Sequence, residues 1–133
     1  MIYKIKSFST EEKLLVQAIL SEYHKKVMSI GLVFNAWNLR AFAPDNSQVQ
    51  SVTTFLSYVM DLQIEIGTEL AILGIPEEIR LNAPISKTVF QSMSADKKNI
   101  IKELFEELGA KLGDFKMFGT QVYMDIWNSK LIR

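Results

Sequence analysis

Val49 to Ile75 reads VQSVTTFLSYVMDLQIEIGTELAILGI, and its periodicity decides the fold. Val52, Leu56, Val59, Leu62, Ile66, Leu70 and Leu73 recur at steps of three and four, so an α-helix gathers them on one face with Phe55 beside them. Asp61, Glu65 and Glu69 fall at i, i+4 and i+8 and form a separate acidic strip on the same helix. Met60, Ile64 and Ile72 lie outside the main apolar stripe. Asn46 and Ser47 sit among the turn formers that precede the helix, and Gly74 with Pro76 ends it, because proline neither continues the hydrogen-bond ladder nor tolerates α geometry before it.

Working outward, Ser9-Thr10-Glu11-Glu12 has the S-x-x-E form of a capping box and predicts a helix near 10 to 30 with Leu15, Val16, Ile19, Leu20, Tyr23, Val27 and Ile30 facing inward and Gly31 as its stop. Before it, Met1 to Lys6 alternates enough to suggest a short N-terminal strand or an extended arm. Leu32 to Ala43 fits no template, since short apolar runs are not assigned by periodicity. After the central helix, two prolines, Pro76 and Pro84, open a connector expected to hold one or two short helices. Ser94 as N-cap and Gly113 as stop frame a helix near 95 to 112, with Ile100, Ile101, Leu104, Phe105, Leu108 and Leu112 on one face. Phe118, Val122, Ile126 and Trp127 then favour a C-terminal helix within Asp114 to Arg133. The expected fold is mainly α: a helical bundle forming one domain over residues 1 to 133, with short connecting elements.

Composition narrows the function classes. A chain of 133 residues buries roughly two thirds of its unfolded surface in a single core. Without cysteine it has neither disulfides nor thiolate metal sites, which suits a reducing compartment. Fifteen basic and fifteen acidic residues cancel, against the concentrated positive surface that nucleic acid or an anionic membrane demands. The N-terminus meets Ser, Thr and two Glu before any apolar signal core develops, and the longest charge-free apolar run is too short to span a bilayer. A cytoplasmic location is the expectation, with no nucleic-acid and no membrane partner.

Residues able to carry chemistry are few. The strip Asp61, Glu65, Glu69 offers oxygen ligands to Mg²⁺ or Mn²⁺ if another element completes the coordination, but no Glu-x-x-His pair marks a carboxylate-bridged di-metal site. The other reading of the strip is a solvated polar face, answered in space by Lys97, Lys98 or Lys102. His24 is the one histidine, and no carboxylate lies three or four residues from it to orient it as a base. The glycines form neither G-x-G-x-x-G nor a phosphate loop, and Gly109 with Gly113 gives G-x-x-x-G outside any membrane span. Trp37 with Arg40, and Tyr123 and Trp127 near Phe118, are the residue types that anchor protein interfaces.

The function expected from this pattern is a small cytosolic interaction protein of the inhibitor, immunity, antitoxin or adaptor kind, binding a protein partner or itself as a homodimer through Trp37, Arg40, Tyr123 and Trp127, with no cofactor. The alternative is a small-ligand or divalent-metal helical enzyme using Asp61, Glu65 and Glu69.

Overall fold

The computed structural model describes residues 1–127, which contain eight α-helices: α1 Ile2–Ile5, α2 Thr10–Met28, α3 Gly31–Asn38, α4 Ser47–Ile72, α5 Glu77–Asn82, α6 Lys87–Ser92, α7 Ala95–Lys111 and α8 Lys116–Trp127. Single 3₁₀ turns follow α3, at Leu39–Ala41, and α7, at Gly113–Phe115. The C-terminal helix extends as far as Trp127; the rest of its expected span lies outside the described residues.

Helix boundaries follow local chemistry. Ser9 and Glu12 form the complete capping box of α2: the hydroxyl accepts from the Glu12 N–H at 3.2 Å and the carboxylate accepts from the Ser9 N–H at 2.8 Å. Asn46 Oδ1 caps α4, and Ser86 and Ser94 cap α6 and α7. At the end of α4 the Gly74 N–H reaches the Ala71 carbonyl and the Ile75 N–H reaches that of Leu70, both at 3.0 Å, a Schellman closure for which Gly74 adopts φ 85°. Gly113 has φ 53°, and a β-carbon there would lie 2.4 Å from the Ser51 hydroxyl, whose oxygen accepts the Asp114 N–H.

Three expectations need correction. Residues 2–5 are helical, with no strand among the described residues for them to pair with; Ile5 is buried, and Lys4 reaches across to Glu103 at 2.6 Å. Gly31 does not stop α2, which closes at Met28 with Ser29 as its C-cap; an extended Ile30 then turns the chain and Gly31 opens α3. Leu73 leaves the α4 stripe because it is the C-cap, and it is exposed. The ambiguous stretch after Gly31 is helix α3 and its 3₁₀ turn, and the connector holds two short helices, α5 and α6.

One contiguous core joins the helices. α4 packs against α2, α3 and α7, while α2 touches α3, α4, α5, α6 and α8. The α2–α4 pair is antiparallel, since Lys13 pairs with Glu69 and the Gln63 amide approaches Ser21. The middle of α2, Leu15–Leu20, is buried without interruption. Burial of a large apolar side chain contributes about 1.5–3 kcal/mol, so this run and the α4 stripe supply much of the driving force. α7 and α8 cross at two glycines: a β-carbon on Gly119 would lie 3.1 Å from Gly109 Cα and 3.2 Å from the Tyr23 hydroxyl. Gly109 therefore serves a close backbone approach, with Gly119 rather than Gly113 as its counterpart.

Candidate functional site

The four candidate interface residues separate into two pairs. Trp37 lies on α3 and Arg40 in the 3₁₀ turn after it; the guanidinium stacks 4.2 Å from the indole centroid, and Nη1 donates to the Trp37 carbonyl at 2.9 Å. Around this stack Leu32, Phe34, Leu39 and Phe42 are exposed, Phe42 by 87%. Val33 and Ala36 are the buried residues that tie the segment to the core.

Tyr123 and Trp127 belong instead to α8. Phe105 meets Tyr123 edge-on at 4.8 Å, and Trp127 sits 5.8 Å from Phe105 and 4.9 Å from Phe90. The Trp127 indole N–H is buried with no hydrogen-bond partner among the described residues. Trp127 thus packs onto the hydrophobic core, while Tyr123 keeps a partly exposed ring.

The acidic strip does not act as a unit. Glu69 is half-buried with Lys13 Nζ 3.1 Å from its Oε2, within ion-pairing distance but without hydrogen-bond alignment. Asp61 and Glu65 are exposed, and among the described residues no three acidic or imidazole groups converge as a metal ligand set. The answering cation is Lys13 on α2; Lys97 is engaged elsewhere, 2.8 Å from Glu12. Burial disfavours the charge on Glu12, and the hydrogen bonds from Lys97 and Ser9 outweigh it, holding the carboxyl below its ordinary range. Burial also lowers the pKa of His24, which has no carboxylate partner among the described residues.

A concavity of about 610 Å³ lies between α2, α4 and α5. Gln17, Gln63 and Arg80 supply its polar lining, and Met60, Ile64 and Ile72 its apolar edge. Gln17 is only 6% exposed and its Oε1 has no hydrogen-bond partner among the described residues. Arg80 donates from Nε to the Ile75 carbonyl at 3.2 Å and from Nη1 to the Gly67 carbonyl at 3.4 Å, tying α5 to the body of α4 and to the turn that follows it. Sequence reasoning did not single out Gln17, Gln63 or Arg80. The available signal was Gly67, a glycine inside a long helix: a β-carbon there would meet Arg80 Nη1 at 3.5 Å.

A second groove, of about 480 Å³, follows the α7–α8 crossing over Gly109 and Gly119. Beneath it the Tyr23 hydroxyl is buried with no hydrogen-bond partner among the described residues, and burial pushes its pKa up to about 12.

The class of molecule defined by these features is a mainly α helical bundle. Comparison with protein-family models, with curated proteins and with solved structures finds no match. No described helix is long and apolar enough to cross a membrane.

Proposed function

We propose that this chain is a small protein-binding module, of the inhibitor, immunity, antitoxin or adaptor kind, that acts in the cytoplasm by covering part of a partner's surface. The observation that carries the reading is the segment Gly31–Phe42, which commits Val33 and Ala36 to the core and leaves Leu32, Phe34, Leu39 and Phe42 in water. Single exposed apolar residues are ordinary, but four large ones within one short segment make a surface whose desolvation favours association. The Trp37–Arg40 stack adds a rigid aromatic with a cation held over it, the pairing enriched where partners bind tightly. The absence of cysteine suits a reducing environment, and the neutral net charge favours a protein partner over a polyanion.

The test is a photo-crosslinking amino acid placed at Phe42 and, as a control, at the exposed Lys87, with both chains expressed in the native host. A discrete adduct from position 42 that is absent from position 87 and lost with Trp37→Ala is the expected result. Equal labelling from both positions, or none, would contradict the reading. Phe42→Ala should leave stability within about 0.5 kcal/mol, because the ring touches little of its own chain.

A further inference from the structure

The groove between α2, α4 and α5 combines polar and apolar lining, and its volume of about 610 Å³ falls within the range of small-molecule sites. Three features of its lining are unusual. Gln17 is 6% exposed, yet its Oε1 has no hydrogen-bond partner among the described residues, a costly state for a buried amide oxygen. Arg80 is the one charged residue among those that line the groove. It contacts two backbone carbonyls and no carboxylate among the described residues, which leaves three of its five N–H donors to be satisfied. Gly67 is a buried glycine inside a long helix, where glycine costs stability. Beyond its own helix a β-carbon there would meet only Arg80 Nη1 among the described residues, at 3.5 Å, so the missing side chain leaves space in the wall.

The helix register brings these features together. Lys13 pairs with Glu69 and Gln63 approaches Ser21, so Gln17, midway between Lys13 and Ser21 on antiparallel α2, falls opposite Ile66 and Gly67. Arg80 holds the Gly67 carbonyl. An acceptor lacking a donor and a guanidinium lacking a carboxylate, among the described residues, therefore flank the same gap. Met60, Ile64 and Ile72 line the groove beside it as an apolar strip.

We propose that this groove binds a small amphipathic carboxylate of the N-acyl amino acid kind. The carboxylate takes the remaining N–H donors of Arg80, whose planar fork suits it. One cation in the lining calls for a monoanion, and a phosphate monoester would bring a second negative charge with no second cation to meet it. The adjacent amide N–H donates at the wall that Gln17 forms, giving its oxygen a partner. The acyl chain lies along Met60, Ile64 and Ile72 and covers apolar surface that is otherwise in water. No residue of the Gly31–Phe42 segment lines this groove, and neither proposal depends on the other.

N-octanoylglycine is the probe, with titration calorimetry and amide NMR as readouts. It should bind one-to-one and shift the amides of Gln17, Gly67 and Arg80 while leaving those of Gly31–Phe42 in place. Its methyl ester should bind about tenfold more weakly, because the charge that meets Arg80 is gone. N-octanoylsarcosine, which lacks only the N–H, should bind about fivefold more weakly. Gln17→Met removes the acceptor at similar volume and should erase the difference between the glycine and sarcosine probes. Arg80→Leu should reduce the acid to the level of its ester. Arg80 also ties α5 to α4, so Gly67→Leu covers the case in which Arg80→Leu fails to fold: leucine favours helix, fills the gap and should abolish binding with the melting temperature retained. Absence of saturable binding up to millimolar probe would overturn the proposal, as would equal affinity for the acid and either derivative. So would binding that survives Gly67→Leu, or amide shifts centred outside the groove.

Discussion

α2 and α4 both run through the core and touch along their length, yet they are packed in opposite ways. α4 is the longer, at 26 residues against 19, and carries three charged residues against six in α2. Even so, α4 is the less enclosed helix. The charges of α2 are confined to its ends, Glu11 to Lys13 and Glu22 to Lys26, and its middle is covered on every side by neighbouring helices. α4 buries one face and leaves Met60, Ile64 and Ile72 in water on another. A helix whose apolar residues are all used inside its own chain contributes stability alone. One with apolar residues outside its stripe contributes stability through one face and leaves apolar surface in water on another.

The sharpest way to break this comparison is to make the same substitution in both helices. Ile19→Ala in α2 removes a side chain with no exposure, and urea unfolding should show a loss of about 2–5 kcal/mol. Ile64→Ala should stand at the opposite extreme. Comparable losses at the two positions would mean that α4 is packed on both faces.

Tyr23 sharpens the comparison from inside α2. Its hydroxyl is buried without a partner among the described residues, so Tyr23→Phe should raise stability by about 1 kcal/mol instead of lowering it. The alkaline limb of the stability curve gives a second readout. The phenol has its pKa raised by burial from an ordinary value near 10 to about 12 in the folded chain. Its neutral form therefore contributes fully below pH 10, and that contribution is lost as the pH rises through about 12. Denaturation between these values should be shallower in Tyr23→Phe, and the remaining slope belongs to Tyr58, whose pKa is raised by burial and by its hydrogen bond to Glu107, and to Lys4, raised by its hydrogen bond to Glu103.

The smallest effect is expected at the exposed end of the comparison. Ile64→Ala should change the stability of the dilute chain by no more than about 0.5 kcal/mol, since the side chain is exposed and alanine favours helix.

Much of the fold was legible because each long helix announces itself twice, by period and by cap. The stripe from Val52 to Leu70, the Ser9–Glu12 box, Asn46 with Ser47, and Ser94 all agree with the structure. The order of enclosure was not legible, because periodicity says which face is buried but not how many neighbours surround the rest. The charge-free middle of α2 was the hint. Gly31 misled because a glycine after an apolar run marks either the end of one helix or the start of the next, and Ile30 decides between them through its extended backbone. The groove was legible in part: Met60, Ile64 and Ile72 stood outside the stripe, but Arg80 and Gln17 reach it from α5 and α2 through tertiary packing that no local pattern encodes. Trp127 had the composition of a binding anchor, and it packs on the core because Phe90 and Phe105 lie beneath it.

Amide hydrogen exchange in the dilute chain tests the division between the two helices most directly. Greater protection across Leu15–Leu20 of α2 than across residues 60–72 of α4 is the predicted result. Equal protection in the two segments, or greater protection in α4, would contradict it.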